Sequence, residues 1–370
     1  MLPPEIQRIV LLIGLAAVGY LLILAWTEDM EAAKTPTVYS DAPLVSQQSS
    51  MAAAELPSVD EFKLIDSDIP AETVAPSAQT TLDTGRLVKV ETAVLEVWVD
   101  LLGGDIARVQ LPTYPISLDQ PETPFLLMDR SAGRTYIAQS ALIGPDGIDK
   151  TGARPLYDVE KSTVTMNSGG ELVLTTTLED ARVAKIFSFT PNSHLINVRY
   201  EVVNLGDQAK NMRLLTQIKR DRLPPPTDET VPLAPSPYLG GALTTPDNNY
   251  EKVDFDDLDE GSFEAYTVGG WMAFLQHYFL TAWVAPADQA TNYLARKTSD
   301  GFYLFGFTGQ NQSIPSGATG TWQASFYAGP KDQVVLENIA PYLNLTVDYG
   351  FLWWIAIPLF KALTFFHDVV

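Results

Sequence analysis

The sequence predicts a mainly β protein: a large antiparallel sandwich with a C-terminal helix, preceded by a transmembrane helix and a flexible tether. From Arg86 onward apolar and polar residues alternate with a period of two, and Gly, Pro and Asn clusters separate many short apolar segments. Short strands with few helical segments are typical of an antiparallel sandwich, and about 240 residues suit one all-β domain. An uncharged apolar run near the N-terminus predicts the membrane helix.

Composition excludes several classes of function. The 370 residues contain 24 Lys and Arg against 45 Asp and Glu, a formal net charge of −21, and such a surface repels nucleic-acid phosphates. There is no Cys, which excludes disulfides, thiolate catalysis and Cys-ligated zinc or iron–sulfur centres. The three histidines, His194, His277 and His367, are far apart in sequence. We therefore expect no metal, no cofactor and no nucleic-acid partner.

Residues 1–27 are predicted to form a transmembrane anchor. Ile9–Trp26 contains no charged residue and gives about 27 Å of helix, close to the roughly 30 Å of a hydrocarbon core. Arg8 precedes the run and acidic residues follow it, so the positive-inside rule places the N-terminus in the cytoplasm. A cleaved signal peptide is the alternative, which the length of the run disfavours. The residues expected to carry the anchor are Ile9, Leu12, Leu15, Tyr20, Leu22 and Trp26.

Residues 28–83 are predicted to be a disordered tether. The segment is acidic, rich in Ala, Ser, Pro, Thr and Gln, and has no sustained apolar period apart from a weak helical pattern over Val59–Ile65. Such a composition buries too little apolar surface to offset the entropy lost on ordering. We expect it to hold the folded domain away from the membrane.

Residues 84–330 are predicted to form the sandwich. In the segment LEVWVDL, alternate residues from Leu95 to Leu101 fall on one face, and Glu96, Trp98 and Asp100 fall on the other. The Pro-rich stretch Leu223–Asn249 is predicted to be a surface loop. Further strands are predicted over Ile106–Leu111, Glu171–Leu178, Ala184–Thr190, Ile196–Val203, Met212–Lys219, Trp271–Phe274, Leu280–Val284, Gly301–Gly309 and Thr319–Ala328.

Residues 331–348 are predicted to form a linker helix packed on the sandwich. Apolar residues recur there near helical spacing, and Pro341 must mark a kink or a boundary. The residues expected to form the packed face are Val334, Val335, Leu336, Ile339 and Leu343.

Residues 349–370 are predicted to form an interfacial helix and the start of a second membrane segment. The segment is strongly apolar and aromatic, Trp353 and Trp354 suit a headgroup belt, and Lys361 can extend its charge to the interface. The residues assigned to the interfacial helix are Trp353, Trp354, Pro358, Phe360 and Lys361. A helix packed on the sandwich is the alternative. Because the apolar segment is unfinished at Val370, we expect the chain to belong to a longer protein.

Catalytic motifs are scarce. The sequence contains no GxSxG, Walker, GxGxxG or HExxH motif. The acidic run from Asp254 to Glu260 fails the EF-hand pattern because Leu258 occupies the fifth position, so a solvated acidic loop is predicted. His277 is expected to be a hydrogen-bonded residue of a strand, and His194 an exposed residue of a turn.

Several short motifs, in this order, resemble the YidC membrane protein insertase family of Gram-negative bacteria. Their number and order carry the resemblance, which covers the anchor and everything from about Lys89 onward. The motifs are Gly103-Gly104-Asp105, Leu111-Pro112-x-Tyr114-Pro115, Tyr136-x-x-Gln139-Ser140, Gly144-x-Asp146-Gly147, Gly270-Trp271, Gln276-x-Tyr278-Phe279-x-x-Ala282-Trp283, Tyr327-x-Gly329-Pro330-Lys331, Leu345-x-x-Asp348-Tyr349-Gly350 and Pro358-Leu359-Phe360.

The resemblance implies a periplasmic β super-sandwich like that of galactose mutarotases, attached to the bacterial inner membrane. It implies insertion, folding and assembly of inner-membrane proteins, alone or with the Sec translocase and its SecD–SecF accessory complex, with nascent transmembrane segments and the lipid bilayer as partners. In that family the chemistry is physical rather than covalent: a hydrophilic intramembrane groove with one Arg lowers the cost of moving polar groups through hydrocarbon. We expect the spans that form this groove to follow Val370, so no groove residue is assigned.

A membrane-anchored carbohydrate-binding or mutarotase-like module is the alternative function. A mutarotase-like site needs a Glu base and His acids that converge in one cleft. The positions of His194 in a predicted turn and His277 in a predicted strand disfavour such convergence. A purely structural periplasmic scaffold is a third possibility.

Overall fold

Alternating apolar residues build two antiparallel sheets in this protein. The computed structural model describes residues 84–347 except 118, 132, 150–153 and 225–237. The predicted anchor, tether and interfacial helix lie outside the described residues. Within the described part of the chain, no helix is long and apolar enough to cross a membrane.

The first sheet has eleven strands in the spatial order β13-β16-β17-β10-β5-β4-β3-β2-β1-β6, with β18 paired to β10. Among the described residues, one pair of its strands, β1 and β6, is parallel, and all its other pairs are antiparallel. The strands are β1 (Leu87–Glu91), β2 (Glu96–Asp100), β3 (Asp105–Ser117), β4 (Gln120–Ser131), β5 (Arg134–Ile143), β6 (Thr163–Thr165), β10 (Lys210–Arg220), β13 (Phe263–Val268), β16 (Ala290–Lys297), β17 (Tyr303–Thr308) and β18 (Gln312–Ile314).

The second sheet has eight strands in the spatial order β12-β11-β14-β15-β19-β9-β8-β7, all paired antiparallel. The predicted fold class, a mainly β antiparallel sandwich, is therefore confirmed. The strands are β7 (Gly170–Thr177), β8 (Ala181–Phe189), β9 (Leu195–Asn204), β11 (Gly240–Leu243), β12 (Glu251–Val253), β14 (Trp271–Leu275), β15 (Phe279–Val284) and β19 (Thr319–Pro330).

The main apolar core lies between the two sheets. Trp283 of β15 donates its indole N–H to the backbone oxygen of Gln217 in β10 at 3.1 Å. The rings of Tyr136 in β5 and Phe274 in β14 meet edge to face at 6.2 Å. Because both contacts join a strand of one sheet to a strand of the other, they fix the sheets face to face.

Strand β2 shows how the alternation is realised. Leu95, Val97 and Val99 are fully buried, as the period of two predicts. Asp100, predicted on the outer face, is also buried. Arg86 and Arg130 donate to its two carboxylate oxygens, at 2.6 and 3.1 Å. Their charges offset the cost of removing this carboxylate from water.

The predicted acidic loop is instead a short helix, α1 (Phe255–Glu260), so the loop part of that prediction is wrong. Phe255 and Leu258 are three residues apart and bury one face of the helix. The predicted exposure is confirmed, since all five acidic residues of the run are exposed. Asp259 also accepts hydrogen bonds from Lys297 at 2.8 Å and from Tyr303 at 2.7 Å.

The predicted surface loop over Leu223–Asn249 is also partly wrong. Its residues 240–243 form β11, which is buried along its whole length. Gly241 allows this burial: a Cβ at that position would lie 1.8 Å from the ring of Phe305. The composition of the stretch predicts a loop, whereas the strand forms by pairing with β14 across about thirty residues.

Candidate functional site at the helical end of the sandwich

A short helix, α2 (Gln333–Ile339), covers one end of the second sheet directly after β19. The side chain of Asp332 accepts hydrogen bonds from the backbone N–H groups of Val334 and Val335, at 3.0 and 3.1 Å. This cap satisfies two of the free N–H groups with which a helix begins. The helix ends at Ile339, two residues before Pro341, and a 3₁₀ turn follows over Leu343–Thr346.

The helix is held by a second apolar cluster on the other face of the second sheet. Trp271, Ala273 and Leu275 of β14 point into this cluster, whereas Met272 and Phe274 point into the main core. Burial on both faces explains the uninterrupted apolar run of β14. On the helical side the cluster contains Leu336, Ala340 and Leu343, spaced four and three residues apart.

One polar contact fixes the end of the helix. Trp271 donates its indole N–H to the backbone oxygen of Pro341 at 3.0 Å. Tyr342, the next residue, adopts the left-handed conformation with φ 66°. This conformation turns the chain back, so that Leu343 packs on the same cluster as Leu336.

The predicted linker residues divide into buried and exposed ones. Leu336 and Leu343 are fully buried and Ile339 is half-buried. Val335, expected on the packed face, is exposed, and so is Val334. Both lie in the first turn, whose backbone faces the Asp332 cap, and the packed face begins only at Leu336.

An open groove of about 770 Å³ lies where α2 meets the sandwich. We call it the helical-end groove and define it by Tyr114, Phe125, Tyr278, Phe279, Val334 and Val347. Phe279 forms its floor, stacked on Phe125 at 4.4 Å and edge-on to Tyr114 at 5.3 Å. Tyr278 and Val334 form its rims and are 68% and 69% exposed.

The groove is built from segments far apart in sequence. Twelve of the described residues line it, and six of these belong to the family-like motifs: Tyr114, Pro115, Tyr278, Phe279, Pro330 and Lys331. Lys331 donates its backbone N–H to the backbone oxygen of Tyr278 at 2.9 Å, which joins the β14–β15 turn to the start of α2. Sequence reasoning identified the motifs but not their convergence.

The two histidines of the described region differ from their predictions. His277 is exposed in the β14–β15 turn and stacked on Tyr278 at 4.1 Å, so it does not lie in a strand. His194 is half-buried between Tyr114 and Tyr327 rather than exposed. Burial lowers the pKa of His194, and the charge of Asp332 opposes this shift. Asp332 therefore has two roles: its charge acts to raise the pKa of His194, and its side chain caps α2.

A buried ionic network inside the sandwich includes residues of two further motifs, Gly103-Gly104-Asp105 and Tyr136-x-x-Gln139-Ser140. Arg154 donates to Asp105 and Asp149, the latter at 3.2 Å. Lys185 donates to the backbone oxygens of Gly103 at 2.9 Å and Ser140 at 3.2 Å. Because Lys185 belongs to the second sheet and Ser140 to the first, these bonds join the two sheets.

Burial sets the proton affinities of this network. It lowers the pKa of Lys185 to about 7, although Asp105 opposes the shift. Burial also acts to lower the pKa of Arg154, but the adjacent Asp105 and Asp149 carboxylates raise it above its ordinary value. The Lys185 and Arg154 side chains are almost fully buried, so the network is suited to structural support rather than to chemistry on a ligand.

Two glycines make room for the network. Gly103 and Gly104 have φ values of 75° and 67°, and a Cβ on Gly104 would lie 2.7 Å from the Lys185 side chain. Among the described residues, no group of three or more His, Asp or Glu side chains is placed to hold a metal ion. The residues predicted for the anchor and for the interfacial helix lie outside the region that the structure describes.

The comparisons with known proteins identify related sequences. The family model for the YidC periplasmic domain matches residues 87–362. Proteins called membrane protein insertase YidC are 38% identical in Ectopseudomonas mendocina and 40% identical in Azotobacter vinelandii, over 99% of this chain and 67% and 66% of theirs. The chain spans about two thirds of the length of the curated relatives it matches.

Similar solved structures share little sequence with this chain. A galactose mutarotase related enzyme from Lactobacillus acidophilus has a TM-score of 0.42 and 11% identity, covering 65% of this chain and 97% of its own. A galactose mutarotase-like protein from Lactobacillus casei also has a TM-score of 0.42 and 11% identity, covering 66% of this chain and 99% of its own.

Proposed function

This chain belongs to the YidC family, as its motifs predicted, and on that premise we propose that it is part of a membrane protein insertase. It would assist the insertion, folding and assembly of inner-membrane proteins, both alone and with the Sec translocase. The observation that carries the proposal is the 38–40% identity with proteins of that name over nearly the whole chain.

The proposed location follows from the sequence. The anchor would cross the inner membrane with its N-terminus in the cytoplasm, and the sandwich would lie in the periplasm. The partners would be nascent transmembrane segments, the lipid bilayer, the Sec translocase and the SecD–SecF complex. The proposed activity involves no covalent chemistry, because an insertase lowers the cost of moving polar groups across hydrocarbon.

The helical end of the sandwich supports a positioning role for α2. Val347 lines the helical-end groove, and the apolar sequence begins two residues later, after Asp348. A helix fixed by Leu336, Leu343 and the Trp271 hydrogen bond would hold the exit of the chain at one place on the sandwich. We propose that α2 thereby sets the distance between the periplasmic domain and the membrane segments.

A chimera tests the proposed function. Residues 1–362 of this chain would replace the matching part of the Azotobacter vinelandii relative, in a bacterium depleted of its own insertase. We expect the chimera to restore growth and the protease-protected insertion of a single-span membrane protein. The unmodified relative serves as the positive control. A matched negative control is the chimera carrying Leu12→Arg and Leu15→Arg, since charges at the centre of an anchor oppose its insertion.

The opposite result would refute the proposal. A chimera that accumulates in the membrane at the level of the relative, yet leaves insertion of the single-span protein at the level of depleted cells, would show that this chain does not perform the role.

A further inference from the structure

Exposed apolar side chains are concentrated at the helical end of the sandwich. Eleven large hydrophobic side chains are exposed in the described part of the chain. Five of them lie on two short segments, the β14–β15 turn (276–278) and residues 331–347. They are Tyr278, Val334, Val335, Tyr342 and Leu345. A group of exposed apolar side chains of this kind marks an interaction surface.

We propose that the helical-end groove and its rims rest on the headgroup region of a phospholipid bilayer. The inference deepens the proposed function, because it rests on the membrane location proposed above. It assigns to the sandwich itself a lipid contact that adds to the membrane segments of the chain.

The short length of chain between Val347 and Trp353 limits what can occupy the helical-end groove. Consecutive Cα atoms are about 3.8 Å apart, so residue 349 lies at most about 8 Å from Val347, and Trp353 at most about 23 Å. The sequence from 349 to 370 is apolar and aromatic and is predicted to enter the membrane interface. A bilayer that holds Trp353 must therefore lie within reach of the groove that contains Val347.

The chemistry of the rims suits the headgroup region. Tyr278 is 68% exposed, and a Tyr side chain combines an apolar ring with a polar hydroxyl, a combination that favours the membrane interface. Val334, the other rim residue, is 69% exposed. Between them the floor is aromatic, built by Tyr114, Phe125 and Phe279.

The distribution of charge also favours this end of the molecule for contact with a lipid surface. The chain carries a net charge of −21, which opposes its approach to anionic lipids. The two segments of the helical end contain only Lys331, Asp332 and Glu337 among the residues that are charged at neutral pH, a net charge of −1. This low charge permits an approach that the acidic surface elsewhere would resist.

The absence of Cys provides a direct test. Full-length variants Tyr278→Cys and Val334→Cys would be labelled in detergent with an environment-sensitive nitrobenzoxadiazole dye. They would then be reconstituted in phosphatidylethanolamine vesicles with phosphatidylglycerol as the minor lipid. Leu205→Cys is the matched control: Leu205 is 52% exposed and directly follows the far end of β9. Leu195, at the start of β9, pairs with Tyr327 near the helical end, about 30 Å from Leu205 along the strand.

The expected result is a blue-shifted emission at positions 278 and 334 that nitroxide-labelled headgroups quench. Because the control lies about 30 Å further along the strand, the loss of fluorescence at 278 and 334 should exceed that at 205 by at least about twofold. A blue shift without quenching would mean that a protein segment or a second copy fills the groove. A water-exposed emission at 278 would mean that nothing covers it. Either outcome overturns the proposal.

A fourth variant, Leu15→Cys in the predicted anchor, separates this inference from the proposed function. Quenching at position 15 by lipids labelled in their acyl chains, without quenching at 278, would overturn only the lipid contact of the sandwich. No quenching at either position would overturn the membrane location as well.

Discussion

Leu336 offers the sharpest test of how the helical end is held together. Its side chain is fully buried between α2 and the second sheet, in the cluster that contains Trp271 and Leu343. Leu336→Ala removes buried methyl and methylene groups and leaves a cavity, a change that costs about 2–5 kcal/mol. Val334, two residues earlier, is 69% exposed. Val334→Ala in the same helix should change the free energy of unfolding by no more than about 0.5 kcal/mol.

Urea unfolding of the full-length chain in detergent, followed by circular dichroism in the strand region, measures both variants. A loss of about 3 kcal/mol at a slope of roughly 3 kcal/mol per molar urea lowers the midpoint by about 1 M. Equal midpoints for Leu336→Ala and Val334→Ala would refute the reasoning. A lower midpoint for Leu336→Ala with an unchanged slope would support it, since an unchanged slope means that the whole sandwich still unfolds with the helix.

Three further predictions follow from the same physical arguments. Gly104→Ala should destabilise the sandwich by about 1–3 kcal/mol more than Gly133→Ala, because both positions have positive φ but only the Cβ at 104 meets Lys185; equal midpoints in urea would contradict this. Burial lowers the pKa of Lys185 from 10.5 to about 7, so between these values the unfolded chain binds more protons and stability rises with pH. Accordingly, the free energy of unfolding from pH 7 to pH 9 should rise more steeply for the natural chain than for Lys185→Met, and parallel curves would refute the assignment. Finally, Ile9–Trp26 should remain on the mature protein, and N-terminal sequencing that begins after Trp26 would refute an uncleaved anchor.

Local periodicity accounts for what sequence reasoning predicted correctly in the sandwich. Strand β2 and the ten-residue strand β9 follow the period of two, because each has one face in the core and one towards solvent or half-buried positions. Strand β14 was also predicted, although both of its faces are buried. Its apolar run is short and is followed by a second short apolar run, a pattern that indicates buried strands.

Pairing across long sequence distances explains what was missed. Strand β11 is only four residues long and lies in a stretch whose Pro and Asn content predicts a loop. Helix α1 is stabilised because Phe255 and Leu258 are buried and because Asp259 accepts hydrogen bonds from Lys297 and Tyr303. None of these partners can be identified from the acidic run itself.

The sequence by itself determined the β class, the antiparallel alternation, a helix near Pro341 and membership of the family, because each depends on residues that are neighbours along the chain or on short motifs in a fixed order. Only the tertiary structure decided that Lys185, Arg154, Asp105 and Asp149 share one buried network, and that Tyr114, Tyr278 and Val334 line one groove. The physical reason is that burial and charge compensation depend on partners that are distant in sequence, such as Arg154 and Asp105, 49 positions apart, and Lys185 and Gly103, 82 positions apart. The folded sheets bring such partners together, and a local pattern does not encode them.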